Sequence, residues 1–241
     1  MSDGYYEPGE RRATRVRDLF GAIAGRYDLL NDLQSFGLHR AWKRRLVRLT
    51  AAGPGRRALD VCCGTGDVTL ALAATGAEVV GVDFSEPMLS VARRRKPPAA
   101  RARFLQADAL DLPFPDACFD AVTISYGLRN LADIPAGLRE LWRVARPGGR
   151  VLVLDFGKPA NRFWRALYFA YLNGVVPVLG RLFSGNAPAY AYIIESLRHY
   201  PAQAGVSALF QELGVARVDV HELLGGIMSI HVAWKPGPGP A

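Results

Sequence analysis

The sequence predicts an α/β protein built on a doubly wound, mostly parallel sheet. Three observations carry that expectation. Between residues 56 and 157 short apolar runs alternate with helix-like segments. The first run, Arg57-Ala-Leu-Asp-Val-Cys-Cys63, is almost continuously apolar, as a strand covered on both faces must be. Near the carboxyl end, Gly225-Gly226 separates two β-like runs, the mark of a hairpin and so of an antiparallel edge.

Taken in order, residues 57–63 form the first strand and 68–74 the helix behind it. Residues 77–84 repeat the apolar pattern as a second strand. Ser85 then stands where a helix N-cap is wanted and Pro87 in the first turn, opening a helix to about residue 95. Residues 103–107 and 119–125 are the third and fourth strands. Asp133 caps the next helix, with Ile134, Leu138, Leu141, Trp142 and Ala145 as its apolar residues, and the turn Arg146-Pro-Gly-Gly149 stops it. Residues 150–155 make the fifth strand, 161–211 an aromatic-rich helical stretch, and 216–223 and 226–235 the closing antiparallel pair. The domain reading is a helical cap over 1–50, one domain over 51–236 with a helical substrate lid inserted at about 160–212, and a disordered tail at 237–241.

Composition bounds the function. Half of the 241 residues are hydrophobic, enough for a large core. Three cysteines cannot all pair, which points to a reducing compartment, and the four histidines show no metal-ligand spacing, so no metal is expected. The first ten residues lack a signal peptide's pattern, and Asn173, Gly174, Pro177 and Arg181 interrupt the most lipid-like stretch, 166–183. A cytoplasmic protein is expected. The net charge of +8 favours an anionic partner, and on composition alone RNA comes first.

The motif after the first strand argues otherwise. Gly64 and Gly66 in Asp60-Val-Cys-Cys-Gly-Thr-Gly-Asp67 allow a tight turn and a close backbone approach, just before a helix N-terminus. Asp83 ends the second strand, 23 residues beyond Asp60, where a carboxylate can accept from both hydroxyls of a ribose. A dinucleotide fingerprint requires glycine where Thr69 stands, and Asp67 would repel a pyrophosphate. A carboxylate there is better tolerated beside the sulfonium of S-adenosylmethionine.

Residues 60–67 resemble the first motif of the class I S-adenosylmethionine-dependent methyltransferases, whose Rossmann-like sheet has seven strands and a last antiparallel pair. The likeness implies that Gly64, Thr65 and Gly66 hold the methionine portion and Asp83 the ribose. It also implies that Asp108 and Ala109 meet the adenine and that Ser125 lines the methionyl side. Further segments are similar to one subfamily, the menaquinone and ubiquinone C-methyltransferases. They are residues 27–43, Leu112-Pro-Phe-Pro115, Ser125-Tyr-Gly-Leu-Arg-Asn130, Asp155-Phe-Gly-Lys-Pro159, Tyr190-Ala-Tyr-Ile-Ile-Glu-Ser196 and Gly226-Ile-Met-Ser-Ile-His231. Departures from its pattern are Cys62 and Cys63, Asp155 in place of the usual glutamate, and Gly157. None is expected to bear on the chemistry. The implied reaction is methyl transfer to a ring carbon of a prenylated quinol, demethylmenaquinol first, with a ubiquinone-pathway benzoquinol as the alternative and an RNA methyltransferase as a remote one.

Carbon methylation needs the reduced quinol, because a quinone is too electron-poor to attack, and something must take the hydroxyl proton. Arg129 and Asn130 follow the fourth strand and are expected to face the substrate, Arg129 orienting a water or steadying the oxyanion. The competing reading pairs Arg129 with Asp133. Tyr27 either closes over the cofactor as the third catalytic candidate or packs within the cap. The aromatic residues after Phe163 suit a lid over the prenyl tail, a buried helix or a homodimer face. No nucleic-acid partner is expected, because residues 125–128 lack the Asn/Asp-Pro-Pro-aromatic turn of amine methylation and Cys118 lies ahead of the fourth strand. The bases Arg40, Lys43, Arg44, Arg45 and Arg48, with a second run at Arg93-Arg-Arg-Lys96, are either a solvated face or a peripheral contact with an anionic membrane on its inner side.

Overall fold

A computed structural model describes residues 31–32, 35–183, 196–197 and 199–237. Seven strands form one sheet in the order β3-β2-β1-β4-β5-β7-β6. They are β1 (Arg57–Val61), β2 (Glu78–Asp83), β3 (Ala102–Gln106), β4 (Phe119–Ser125), β5 (Ala145–Phe156), β6 (Arg217–Leu223) and β7 (Met228–Trp234). The first five pair in parallel, and β7 runs antiparallel between β5 and β6. The doubly wound sheet with its antiparallel pair is as the alternation of apolar runs requires.

The helices are α1 (Leu38–Thr50), α2 (Asp67–Ala73), α3 (Glu86–Arg95), α4 (Ile134–Val144), α5 (Arg162–Phe183) and α6 (Ala202–Glu212). Alternating strand residues supply two cores, because successive side chains leave opposite faces. Leu59, Val61, Val122, Ile124 and Val153 pack with Leu138 and Leu141 of α4 and Val206 and Phe210 of α6. Ala58, Ala121, Leu152 and Ile230 pack with Leu46 of α1 and Val68 and Leu72 of α2. Within the cap expected over 1–50, α1 is therefore a covering layer of the sheet, and residues 1–30 lie outside the described part.

Two local expectations need correction. Asp133 caps α4 as expected, its side chain accepting from the Ala136 N–H at 2.8 Å. Ser85 stands at the N-cap of α3 without a capping bond from its side chain. The turn at 146–149 does not precede the fifth strand but lies inside it. Phe119 pairs with Ala145 and Ala121 already with Arg150, so the intervening residues bulge out, with Gly148 at φ 73°.

Strand order reverses between β1 and β4, so the carboxyl ends of β1, β2 and β4 border one crevice. A ligand site is expected at such a switch point.

Candidate active site

The loop from β1 to α2 is held in left-handed backbone conformations at Cys62, Gly64 and Gly66 (φ 55°, 54° and 85°). It is pinned by the Cys63 N–H donating to Val82 O and the Gly64 N–H donating to Asp83 Oδ2, at 2.9 and 2.8 Å. The two glycines have different duties. A Cβ on Gly64 would meet nothing within 4 Å, because that residue faces the crevice. A Cβ on Gly66 would come within 3.0 Å of the Phe104 ring, because there the loop lies against β3. Thr65 is buried and its carbonyl accepts from Arg95. Thus Gly64 lines the crevice, while Thr65 and Gly66 set the loop's shape behind it.

The crevice encloses about 910 Å³ with its open mouth included, and Gly64, Asp83, Asp108, Ala109, Ser125 and Asn130 all line it. Asp83 accepts from the backbone N–H groups of Gly64 and Ser85, one to each oxygen. A carboxylate offers about four acceptor positions, so these backbone bonds leave capacity for a ligand hydroxyl. Burial pushes the Asp83 pKa up, against the pull of those N–H bonds. Asp108 Oδ1 accepts from the Leu110 N–H at 2.9 Å, which fixes the turn beyond β3. The hydroxyl oxygens of Ser85 and Ser125 are buried on this wall with no hydrogen-bond partner among the described residues. Unsatisfied polar atoms beside a paired carboxylate fit a polar ligand such as the ribose and methionyl ends of S-adenosylmethionine.

The other acids of the first motif serve the scaffold. Asp60 is buried and accepts from Thr69 at 2.7 Å and Thr123 at 2.9 Å, and burial lifts its pKa to about 6. Asp67 was expected to face the ligand; instead it is paired with Lys43 of α1 at 2.9 Å and Arg95 of α3 at 2.6 Å. Burial pushes its pKa up, but the two cations more than offset that and leave it low. Cys62 lines the crevice as a thiol that burial holds far above its ordinary pKa.

Arg129 differs most from expectation. Its side chain is buried and turned away from the crevice, although Asn130 and Tyr126 beside it form the wall. Its Nη1 donates to Asp155 Oδ1 at 2.8 Å and to the Tyr126 carbonyl at 2.7 Å, and its backbone N–H donates to Asp155 Oδ2. Phe156 covers the guanidinium at 4.6 Å. The pairing with Asp133 is corrected, since the acid of Arg129 is Asp155, and the side chain lies behind the crevice wall and not on it. Asp155, set aside as an unimportant departure, is the residue that sequence reasoning missed. The available signal was a carboxylate ending a strand that is otherwise apolar. Asn130 Nδ2 also donates to the Tyr126 carbonyl, at 3.1 Å. Tyr27 lies outside the described residues, as does most of the segment 190–196. Of the expected lid, Tyr168 and Leu172 are buried, whereas Phe163 and Leu167 are exposed. No cluster of metal-ligating side chains occurs among the described residues.

Known proteins place this geometry. The magnesium protoporphyrin IX methyltransferase of Synechocystis PCC 6803, solved with bound SAH, superposes with a TM-score of 0.67 at 20% identity, over 92% of this chain and 99% of that one. That likeness speaks for the fold, a class I methyltransferase fold. The demethylmenaquinone methyltransferase of Thermus thermophilus is 47% identical over 221 residues, 90% of this chain and all of the relative. The ubiquinone/menaquinone biosynthesis C-methyltransferase UbiE of Ectopseudomonas mendocina is 43% identical over 236 residues, 95% of this chain and 92% of the relative. The model of the ubiE/COQ5 methyltransferase family matches residues 9–235. A match spanning sheet, crevice loops and closing hairpin together leaves one assignment: the chain belongs to the ubiE/COQ5 family of S-adenosylmethionine-dependent C-methyltransferases.

Proposed function

We propose that this protein moves the methyl group of S-adenosylmethionine to a ring carbon of a prenylated quinol, demethylmenaquinol in preference to a benzoquinol. The observation that carries the reading is the pairing of Asp83 with the Ser125 to Asn130 edge across a single crevice, in a chain of this family. When bound, S-adenosylmethionine supplies an electrophilic methyl on a sulfonium. Gly64, Asp83, Asp108, Ala109 and Ser125 hold it, with Thr65 and Gly66 shaping the loop. Asn130 meets the quinol at the mouth and Arg129 acts from behind through the Tyr126 carbonyl, while Tyr27, outside the described residues, stays the third catalytic candidate on the strength of the family resemblance alone. The preference for the naphthoquinol rests on the identity to the Thermus relative.

The RNA alternative loses ground. RNA ring-carbon methylation calls for a cysteine thiolate, and burial keeps the thiol of Cys62, the cysteine on this crevice, protonated. Incubation with labelled S-adenosylmethionine tests the whole reading. Label is expected in a reduced short-chain naphthoquinol, less in the matching benzoquinol, and none in RNA or oxidised quinone. Label in RNA and none in either quinol would overturn it.

A prenylated quinol lives in a bilayer, and no helix among the described residues is long and apolar enough to cross one. Peripheral attachment to an anionic membrane answers that need. Arg44, Arg45 and Arg48 are exposed on α1, Phe163 and Leu167 are exposed on α5, and a contact between Phe36 and Tyr171 ties the two regions together. The basic stretch is less free than its sequence suggests, because Arg40 pairs with Asp32 and Lys43 with Asp67.

A further inference from the structure

Lys43 of α1 touches both sides of the crevice without lining it. Its Nζ donates to Asp67 Oδ2 at 2.9 Å, at the first residue of α2, and stands 5.9 Å from the centre of the Tyr126 ring, just past the end of β4. Gly64 and Tyr126 are crevice residues, whereas Lys43 and Asp67 stand behind them. The pair is largely withdrawn from water, the Lys43 side chain 12% exposed and that of Asp67 23%. Holding a lysine there costs hydration and side-chain freedom, so the pair is a poor device for stability alone.

On the cofactor side the loop is set by ionic ties. Asp67 gives one oxygen to Lys43 and the other to Arg95 of α3, and Arg95 also donates to the Thr65 carbonyl at 3.0 Å. The N-cap of α2 is Gly66, which has no side chain to cap the helix, so these ties fix its start. On the acceptor side Tyr126 keeps φ 60°, a left-handed backbone that is costly for so large a residue. Its N–H donates to Leu154 O at 2.7 Å, and its carbonyl accepts from Arg129 and from Asn130, which orients Asn130 on the crevice wall. The helix that carries Lys43 is a firm base. Leu46 packs in the core with Val68 and Leu72, and Arg150 donates to the Leu49 carbonyl at 3.0 Å.

We propose that Lys43 is a positioning residue for methyl transfer, holding the cofactor loop, through Asp67, in register with the acceptor edge at Tyr126. This rests on the methyl-transfer reading of the crevice. In-line displacement needs the reacting atoms about 3–3.5 Å apart and aligned, and a misplacement of about 1 Å costs of order 100-fold in rate. Donor and acceptor belong to different segments, the loop after β1 and the turn after β4. The two strands fix each other only as far as the pair Val61 and Ile124, and both segments then leave the ladder. Lys43 joins them beyond that last pair. An ammonium suits the place, because it can donate to a carboxylate while it faces an aromatic ring. Lys43 is not a crevice residue, so its loss acts on the spacing of the reacting atoms more than on the affinity for S-adenosylmethionine, for which Asp83 and Asp108 stand on other elements.

The test uses the full chain with S-adenosylmethionine and a reduced short-chain naphthoquinol, well below the melting temperature of each variant. Lys43→Met keeps the stem and removes the charge; kcat is expected to fall at least about ten-fold while KM for S-adenosylmethionine stays within about three-fold. A merely structural role predicts a lower melting temperature with kcat unaltered in the folded protein. Lys43→Gln stands in should Lys43→Met not fold, with the same expectation. Asp67→Asn breaks the link from its other end, and a double-mutant cycle shows whether Lys43 acts through it. The double variant is expected to turn over no more than about two-fold slower than Asp67→Asn alone, because a link already broken cannot be broken again. A lysine variant within two-fold of wild-type kcat, or losses that multiply in the double variant, would sink the proposal. A wild-type protein that methylates no quinol sinks the functional reading instead.

Discussion

Asp83 and Asp60 end and interrupt adjacent strands, yet the sheet gives them opposite tasks. Asp83 sits on the crevice wall with acceptor capacity left for a ligand hydroxyl. Hydrogen bonds to a charged group contribute about 1.5–3 kcal/mol, so Asp83→Asn should weaken binding of S-adenosylhomocysteine about 10- to 100-fold by calorimetry and also lower the melting temperature, because the amide nitrogen cannot accept one of the two backbone N–H bonds that the carboxylate takes. Asp60 is clamped by two threonine hydroxyls away from the crevice, and its raised pKa makes it a stability group. The folded chain holds a proton at Asp60 up to about pH 6, against an ordinary value of 3.8. The folded state therefore binds more protons than the unfolded one in that window, and this site's contribution to stability falls as pH rises through it. At 1.36 kcal/mol per pKa unit the fall is of order 2–3 kcal/mol. Denaturant unfolding of wild type and Asp60→Asn from pH 4 to 7 should show that difference; parallel curves would refute it. The two carboxylates look alike in sequence because strand position alone does not say which side chain meets the crevice. Arg129 makes the same point, since its partner Asp155 lies 26 residues away and only sheet pairing joins them.

The loop after β1 is the element on which the site depends. Its glycine pattern is legible in sequence, but the division of duties between Gly64 and Gly66 is not. Gly66 combines a φ of 85° with a 3.0 Å approach to Phe104, whereas Gly64 opens onto the crevice. Gly66→Ala should destabilise the fold by about 1–3 kcal/mol through strain and overpacking. Gly64→Ala should meet only the backbone strain and lose ligand affinity instead. Thermal melts with and without S-adenosylhomocysteine separate the two, and equal destabilisation by both would contradict the assignment. The fifth strand teaches a related lesson about boundaries. A proline-glycine turn reads as a stop, yet β4 has room to bulge its neighbour at 146–149 and carry the ladder on. Turn residues report local backbone preference, while ladder hydrogen bonds decide whether a strand ends or only bulges.

Across the whole molecule, the charge of +8 is divided between internal ties and a free surface. Lys43 and Arg95 both grip Asp67, so part of the basic excess fastens α1 and α3 to the loop. The exposed remainder on α1 is what an anionic bilayer can use, at about 1 kcal/mol per residue near the surface. Substituting glutamine at Arg44, Arg45 and Arg48 together should lower sedimentation with anionic liposomes at least ten-fold at low salt, leaving neutral liposomes unaffected. Equal binding of both vesicle types by wild type would reduce the charge to solubility. The sequence by itself determined the alternation of strands and helices, the switch-point crevice and the glycine loop with its carboxylate at β2. Each is written in local periodicity and turn chemistry, which neighbouring residues suffice to set. Only the tertiary structure decided that Asp67 is tied to Lys43 and Arg95 and that Arg129 belongs to Asp155. Those pairings join residues far apart in the chain, and burial makes a charge find whichever partner the packed sheet brings within reach.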